Sequence, residues 1–200
     1  MKKQIVIIHG GGAFDSYAEY FSWLKSFKLD IDRFTQKGWK DSFSKKLGAD
    51  FEVIQPEMPN SMNAHYPEWK IWFEKFIPFF QKEVLLIGHS LGGMFLAKYL
   101  SENKFSKRIR ATFLIAAPFD DKDCRESLGD FALSKSLVKF AKQGGKIFLY
   151  QSKDDKSVPF VDVKKYQKEI PNAVLRIFAN KGHFNQSEFP ELVKDIKSLY

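Results

Sequence analysis

The sequence predicts an α/β fold: a six-stranded, mostly parallel sheet with helices on both faces. Three observations predict it. Six short β-like runs recur along the chain, at residues 4–8, 51–54, 84–87, 112–116, 146–150 and 174–178. Most are near-continuous apolar runs such as Val84-Leu85-Leu86-Ile87, the pattern of strands buried on both faces. Segments with helical periodicity separate them, and that alternation favours a parallel sheet.

Each element has its own signal. Residues 39–47 read as a helix before the second strand. Residues 67–76 carry Trp69, Trp72, Phe73 and Phe76 at helical spacing, a stripe expected to pack in the core. Residues 90–101 form a helix directly after the third strand. Residues 131–142 form one that stops at Gly144-Gly145. Residues 160–170 stop before Pro171, and residues 190–199 begin with Pro190 in the first turn. Two stretches, 14–37 and 119–129, fall outside the alternation. Both leave the C-terminal ends of strands, where α/β sheets bind ligands, so they are expected to wall a pocket or form a small lid.

Length and composition set bounds. Two hundred residues, 44% apolar and 28% charged, suit one globular domain over 1–200 with a full core. No apolar run reaches the roughly 20 residues that span a bilayer. The opening apolar run is too short for a signal peptide and is cut off by His9-Gly10-Gly11-Gly12. A cytoplasmic protein is expected, in keeping with a lone Cys124 that has no internal disulfide partner. The net charge of +8 comes from lysines scattered over polar helix sides, with no dense basic block, so no nucleic-acid partner is expected. A monomer is expected.

Gly88-His89-Ser90-Leu91-Gly92 carries the chemistry. G-x-S-x-G between a strand and a helix is the nucleophile elbow of α/β-hydrolases. A serine hydroxyl needs a base to take its proton, and the base needs an orienting carboxylate. Of the four histidines, only His183 lies downstream of Ser90, just after the last strand. Asp155, in Asp155-Lys156-Ser157-Val158-Pro159 after the fifth strand, fits D-x-x-V-P and is the expected acid. Asp154, one residue away, is expected to point elsewhere; Asp120 and Asp121, after the preceding strand, are the rivals. An oxyanion needs donors, expected from the N–H of Leu91 and of Gly11 or Gly12. The Gly10–Gly12 loop is not a dinucleotide fingerprint, because Asp15 stands where its third glycine would be.

His9 and His89 are expected to brace the glycine-rich turns. Phe14, Tyr17 and Phe119 are the candidate pocket residues, with Tyr20, Phe21 and Trp23 nearby. No metal-ligand spacing such as H-E-x-x-H or C-x-x-C occurs, and no metal or cofactor is expected.

These motifs resemble those of the small serine hydrolases typified by retinoblastoma-binding protein 9, a minimal branch of the α/β-hydrolases. The resemblance rests on Gly10-Gly11-Gly12, Met58-Pro59, the Ser90 elbow, Ser152-Lys153-Asp154-Asp155 with Pro159, and Gly182-His183-Phe184. Glu188-Phe189-Pro190-Glu191-Leu192 and Lys197-Ser198-Leu199 extend it to the C-terminal end. It implies a sheet of order 2-1-3-4-5-6 without a leading antiparallel hairpin, and a Ser90–Asp155–His183 triad. Lys156 replaces the proline often found after the acid, and His9 opens an esterase-like H-G-G-G.

The expected activity is hydrolysis of a small carboxylic ester through an acyl-enzyme, carboxylesterase-like. A peptidase or amidase with the same triad, acting on a short peptide, and a non-catalytic binding protein on the same fold are the alternatives.

Overall fold

A computed structural model of the protein describes residues 2–31, 35, 37–122, 127–133 and 136–200. Cys124 and parts of the stretches 14–37 and 119–129 lie outside the described residues. The elements run β1 (Lys3–Ile8), α1 (Tyr17–Ser26), α2 (Trp39–Leu47), β2 (Phe51–Ile54), α3 (Tyr66–Phe76), β3 (Glu83–His89), α4 (Leu91–Glu102), β4 (Arg108–Ile115), α5 (Val138–Gln143), β5 (Lys146–Ser152), α6 (Phe160–Glu169), β6 (Val174–Phe178) and α7 (Pro190–Lys197). The six strands form one sheet of order β2-β1-β3-β4-β5-β6, every pair parallel. The order is the expected one.

Alternation along each buried strand feeds two separate cores. Val6, Ile8, Val84, Leu86, Leu114 and Leu149 point to one face. There they meet Trp69 and Phe73 of α3, most of α4, Phe140 of α5, and Val163 and Tyr166 of α6. Ile5, Ile7, Leu85, Ile87, Phe113 and Phe148 point to the other face. They meet Trp39, Phe43 and Leu47 of α2 and Leu192 and Ile196 of α7. Apolar residues on both sides of each strand thus follow from helices on both sides of the sheet. On the second face Arg176 grips Asp195 of α7 through two bonds (2.7 and 2.9 Å), and the Tyr150 hydroxyl donates to the same carboxylate (2.5 Å).

Helix ends follow their local chemistry. Ser16 caps α1 by accepting from the Glu19 N–H (3.2 Å), and Asp41 accepts from the Gly38 N–H (2.7 Å) at the start of α2. The helix expected over 131–142 is shorter. Gly129–Phe131 makes a 3₁₀ turn, Ala132 is extended, and α5 begins at Val138. The cause is tertiary. Phe131 is fully buried edge-on against Tyr66 and Trp69, which holds it out of register with α5.

Of the aromatic stripe on α3, Trp69 and Phe73 are fully buried while Trp72 is partly exposed. Among the described residues, no helix is long and apolar enough to cross a membrane.

The parallel register brings all six C-terminal strand ends to one edge. Ile8 pairs with Gly88, His89 with Ile115, and Ser152 with Phe178. The loops that follow β1, β3, β4, β5 and β6 therefore converge, and they carry the sequence-predicted site residues.

Candidate active site

Ser90 sits between β3 and α4 with φ 55° and ψ −127°. A non-glycine residue there is strained, and its neighbours hold it in place. Its N–H donates to Ile115 O (2.8 Å), and its carbonyl accepts from the Gly93 N–H (2.8 Å). The glycines around it are steric requirements. A Cβ on Gly88 would stand 2.5 Å from Gly92 O, and one on Gly92 would stand 2.4 Å from His9 O and Ile8 O. The turn closes only because β3, α4 and the end of β1 approach backbone to backbone.

His183 and Asp155 meet across the loops after β6 and β5. His183 Nδ1 lies 2.9 Å from Asp155 Oδ2 and 3.2 Å from Oδ1. The Asp155 side chain is fully buried, and Oδ1 also accepts from the N–H groups of Ser157 (2.8 Å) and Val158 (3.1 Å). Those donors hold the buried carboxylate in one orientation. The carboxylate oxygens only accept, so Nδ1 carries the imidazole proton and Nε2 is left as a lone pair. Neither Ser90 Oγ nor His183 Nε2 has a hydrogen-bond partner among the described residues.

Asp154 and the rivals of Asp155 are engaged elsewhere. Asp154 points away and accepts from Ser152 Oγ (2.5 Å) and the Gly182 N–H (2.9 Å), which ties down the His183 loop. Asp120 is bound to Lys165 (2.7 Å), and Asp121 lies with it at a separate cavity.

A cavity of about 50 Å³ opens over Ser90, lined by Gly11, Ala13, Leu91, Pro118, Ser127, Leu128, Ser157 and Val158. The N–H groups of Leu91 and Gly11 have no acceptor among the described residues. Gly12 requires a correction. Its N–H donates to Ser61 O (2.9 Å) and its carbonyl accepts from the Ala64 N–H (2.8 Å), so it is spent on joining the loop after β1 to the segment after β2. The same contact explains Gly11, where a Cβ would stand 2.5 Å from Ser61 O.

The candidate pocket residues Phe14, Tyr17 and Phe119 do not line this cavity. Phe14 packs on Tyr20 and Trp23, Tyr17 is exposed in a shallow groove with Met62 and Glu68, and Phe119 packs on Tyr166 beside a cavity of about 300 Å³. Ala13 and Pro118, each one position earlier, line it instead.

His9 and His89 both brace turns, as expected. His9 Nδ1 bonds Gly10 O (2.6 Å), and its Nε2 accepts from the Met58 N–H (2.8 Å). Burial, assisted by the nearby Lys40 charge, holds His9 below the ordinary imidazole pKa. His89 is buried between the elbow and the His183 loop, its ring centroid 5.0 Å from that of His183. Its Nε2 meets His183 O at 2.8 Å, and its Nδ1 meets Lys40 Nζ at 3.0 Å. Sequence reasoning missed Lys40, because a lysine on the polar side of a helix carries no signal of its own. Among the described residues, no group of His, Cys, Asp and Glu is placed to hold a metal ion.

This sheet order, with a strained serine at the end of its third strand, defines the α/β-hydrolase class. Solved structures agree. The ydeN gene product of B. subtilis has a TM-score of 0.73 at 20% identity, covering 99% of this chain and 98% of that one. A carboxylesterase from the thaumarchaeon Nitrososphaera gargenis has a TM-score of 0.64 at 17% identity, covering 98% and 89%. At these identities the likeness establishes the fold alone. In sequence, residues 33–196 match the family described as Serine hydrolase, and the chain belongs to that family. The serine hydrolase RBBP9 of Rattus norvegicus is 26% identical over 160 residues, spanning 74% of this chain and 78% of the relative. The family match begins beyond the glycine-rich loop after β1, so the reading of Gly11 rests on geometry.

Proposed function

We propose that this hydrolase cleaves small carboxylic esters through an acyl-enzyme formed on Ser90. The observation that carries the reading is the buried Asp155 carboxylate bonded to His183 Nδ1, beside a serine held at positive φ. His183 Nε2 takes the Ser90 hydroxyl proton as Oγ bonds to the carbonyl carbon. The N–H groups of Leu91 and Gly11 receive the negative charge that develops on the carbonyl oxygen. Collapse breaks the ester C–O bond, and His183 gives its proton to the departing alkoxide. Water then adds to the acyl group, losing its proton to His183, and the carboxylic acid leaves as Ser90 recovers its hydrogen. Asp155 orients His183 and stabilises the imidazolium.

The small volume of the cavity, about 50 Å³, supports a short acyl group, with Ala13, Leu91, Pro118, Leu128 and Val158 as its apolar contacts. Esters are favoured over amides because an alkoxide is the better leaving group.

The test is labelling with a fluorophosphonate, followed by hydrolysis of a p-nitrophenyl ester series from acetate to octanoate. Label on wild-type Ser90 that is lost in Ser90→Ala and His183→Ala, with fastest turnover of the short esters, is expected. Ester turnover by pure Ser90→Ala protein would overturn the mechanism. Fastest turnover of octanoate would overturn the short-acyl assignment.

A further inference from the structure

Behind the candidate active site, a chain of hydrogen bonds runs from α2 to the catalytic loop. Lys40 Nζ donates to His89 Nδ1 (3.0 Å), and His89 Nε2–H donates to His183 O (2.8 Å). His89 directly precedes Ser90, so this one imidazole touches the elbow through the chain and the base through space. We propose that Lys40 is a positioning residue for His183: it holds His89 in the one tautomer that can grip the His183 carbonyl. The inference rests on Ser90 and His183 acting as nucleophile and base.

A carbonyl oxygen only accepts, so the contact requires the His89 proton on Nε2. Nδ1 is then a buried lone pair and needs a donor. A lysine ammonium only donates, so it supplies that donor and excludes the alternative tautomer. Without Lys40, the proton is free to sit on Nδ1. The Nε2 lone pair would then face the His183 carbonyl, and the contact would turn from attraction to repulsion. His89 does not escape by becoming doubly protonated. Burial first, then the Lys40 and His183 charges, holds it well below the ordinary imidazole range.

Other contacts hold the rest of the loop. Lys181 N–H donates to Ser152 Oγ (2.9 Å), Gly182 N–H to Asp154 (2.9 Å), and Trp39 Nε1 to Phe184 O (3.0 Å). Asp155 holds the His183 ring (2.9 Å), and His89 holds its backbone carbonyl.

The same geometry sets a pH response. Burial lowers Lys40 to about 8, partly offset by Asp41 on its own helix. The other groups facing this cluster are His9 after β1, His89 at the end of β3, and His183 before α7. Glu57 after β2 acts on His9. Above that pH the lysine is a neutral amine, which accepts as well as donates, and no longer enforces the tautomer.

The experiment compares wild type, Lys40→Met and Lys40→Arg from pH 6 to 10. It reads fluorophosphonate labelling rate, kcat and KM for a short ester, melting temperature, and the ring-nitrogen NMR signals of His89. In wild type, His89 should be protonated on Nε2, with kcat falling above about pH 8. Lys40→Met should lower kcat and labelling about tenfold to a hundredfold at unchanged KM, since a small misplacement of a catalytic group costs that much. It should also abolish the alkaline break and shift the His89 proton toward Nδ1. Lys40→Arg should restore the Nε2 tautomer and remove the break, because its guanidinium stays charged.

An unchanged rate, profile and tautomer in Lys40→Met overturns the proposal. If Lys40→Met does not fold, a break that stays near pH 8 in Lys40→Arg overturns it. Wild-type protein that takes no label overturns the Ser90 reading instead, and the His89 tautomer in the variants still decides what Lys40 does.

Discussion

Asp155 Oδ2 lies 2.9 Å from His183 Nδ1, and Oδ1, 3.2 Å from the same nitrogen, is held by the N–H groups of Ser157 and Val158. The carboxylate therefore cannot rotate, and its chemistry is open to a clean test. In Asp155→Asn, the amide oxygen would take the place of Oδ1 between those two N–H groups. The amide NH₂ would then face His183 Nδ1 and force the imidazole proton onto Nε2. An imidazole protonated there cannot accept the Ser90 proton. We expect kcat to fall by about 10⁴, the magnitude seen when the equivalent tautomer is reversed in a serine protease. The melting temperature should move by only a few degrees. A variant within tenfold of wild type would show that Asp155 does not orient the base.

Glycine substitutions should divide by what a methyl group meets. Gly92→Ala places its Cβ 2.4 Å from two backbone oxygens, of Ile8 and His9, which belong to β1 and its loop and cannot move aside cheaply. The expected loss is about 3 kcal/mol, the upper range for overpacking. Gly182→Ala meets nothing within 4 Å and carries only the strain of φ 50°, about 1–2 kcal/mol. Urea unfolding of the two variants should rank them in that order. The reverse order would show that the elbow is not close-packed.

Much of this was legible in the sequence, and the reasons are specific. Val84–Ile87 reads as a strand because a parallel strand is apolar on both faces. Gly88, Ser90 and Gly92 read as an elbow because backbone contact demands that spacing. His183 stood alone downstream of Ser90.

What was hidden depends on distant neighbours. Nothing near Phe131 says that Tyr66 and Trp69 will claim its ring and shorten the helix that follows. Nothing near Gly12 says that Ser61 will take its N–H. The cavity lining was hidden as well, since Ala13 and Pro118 carry no compositional signal. Lys40 acquires meaning only once α2 packs behind His89.

Acid stability should depend on Asp195. Burial alone would raise its pKa, but the bonds from Arg176 and Tyr150 outweigh burial and hold it below the ordinary carboxylate value. For a depressed carboxylate, the stabilisation is complete above the unfolded-state pKa and is lost as pH falls through the folded one. Asp195→Asn should therefore cost about 2 kcal/mol at neutral pH, the range for hydrogen bonds to charged groups. The gap to wild type should stay constant down to about pH 5 and shrink below about pH 4. Denaturant melts at pH 7, 5 and 3 would check it, and a gap that widens on acidification would reverse the assignment.

Acyl selectivity should follow Val158. Val158 lines the cavity over Ser90 and is itself buried, while its N–H helps hold Asp155. Because that hold uses the backbone, Val158→Ala removes two methyl carbons from the cavity wall and leaves the Asp155 bond in place. The enlarged space should admit a longer chain. The ratio of kcat/KM for butyrate over acetate esters should rise about tenfold, the lower end of what one methylene is worth in an apolar pocket. Labelling of Ser90 by a small fluorophosphonate should stay within about threefold of wild type. If the ratio is unchanged while labelling holds, the acyl chain lies elsewhere. The larger cavity beside Phe119 and Leu137, which shares Leu128 with this one, would be the next wall to open.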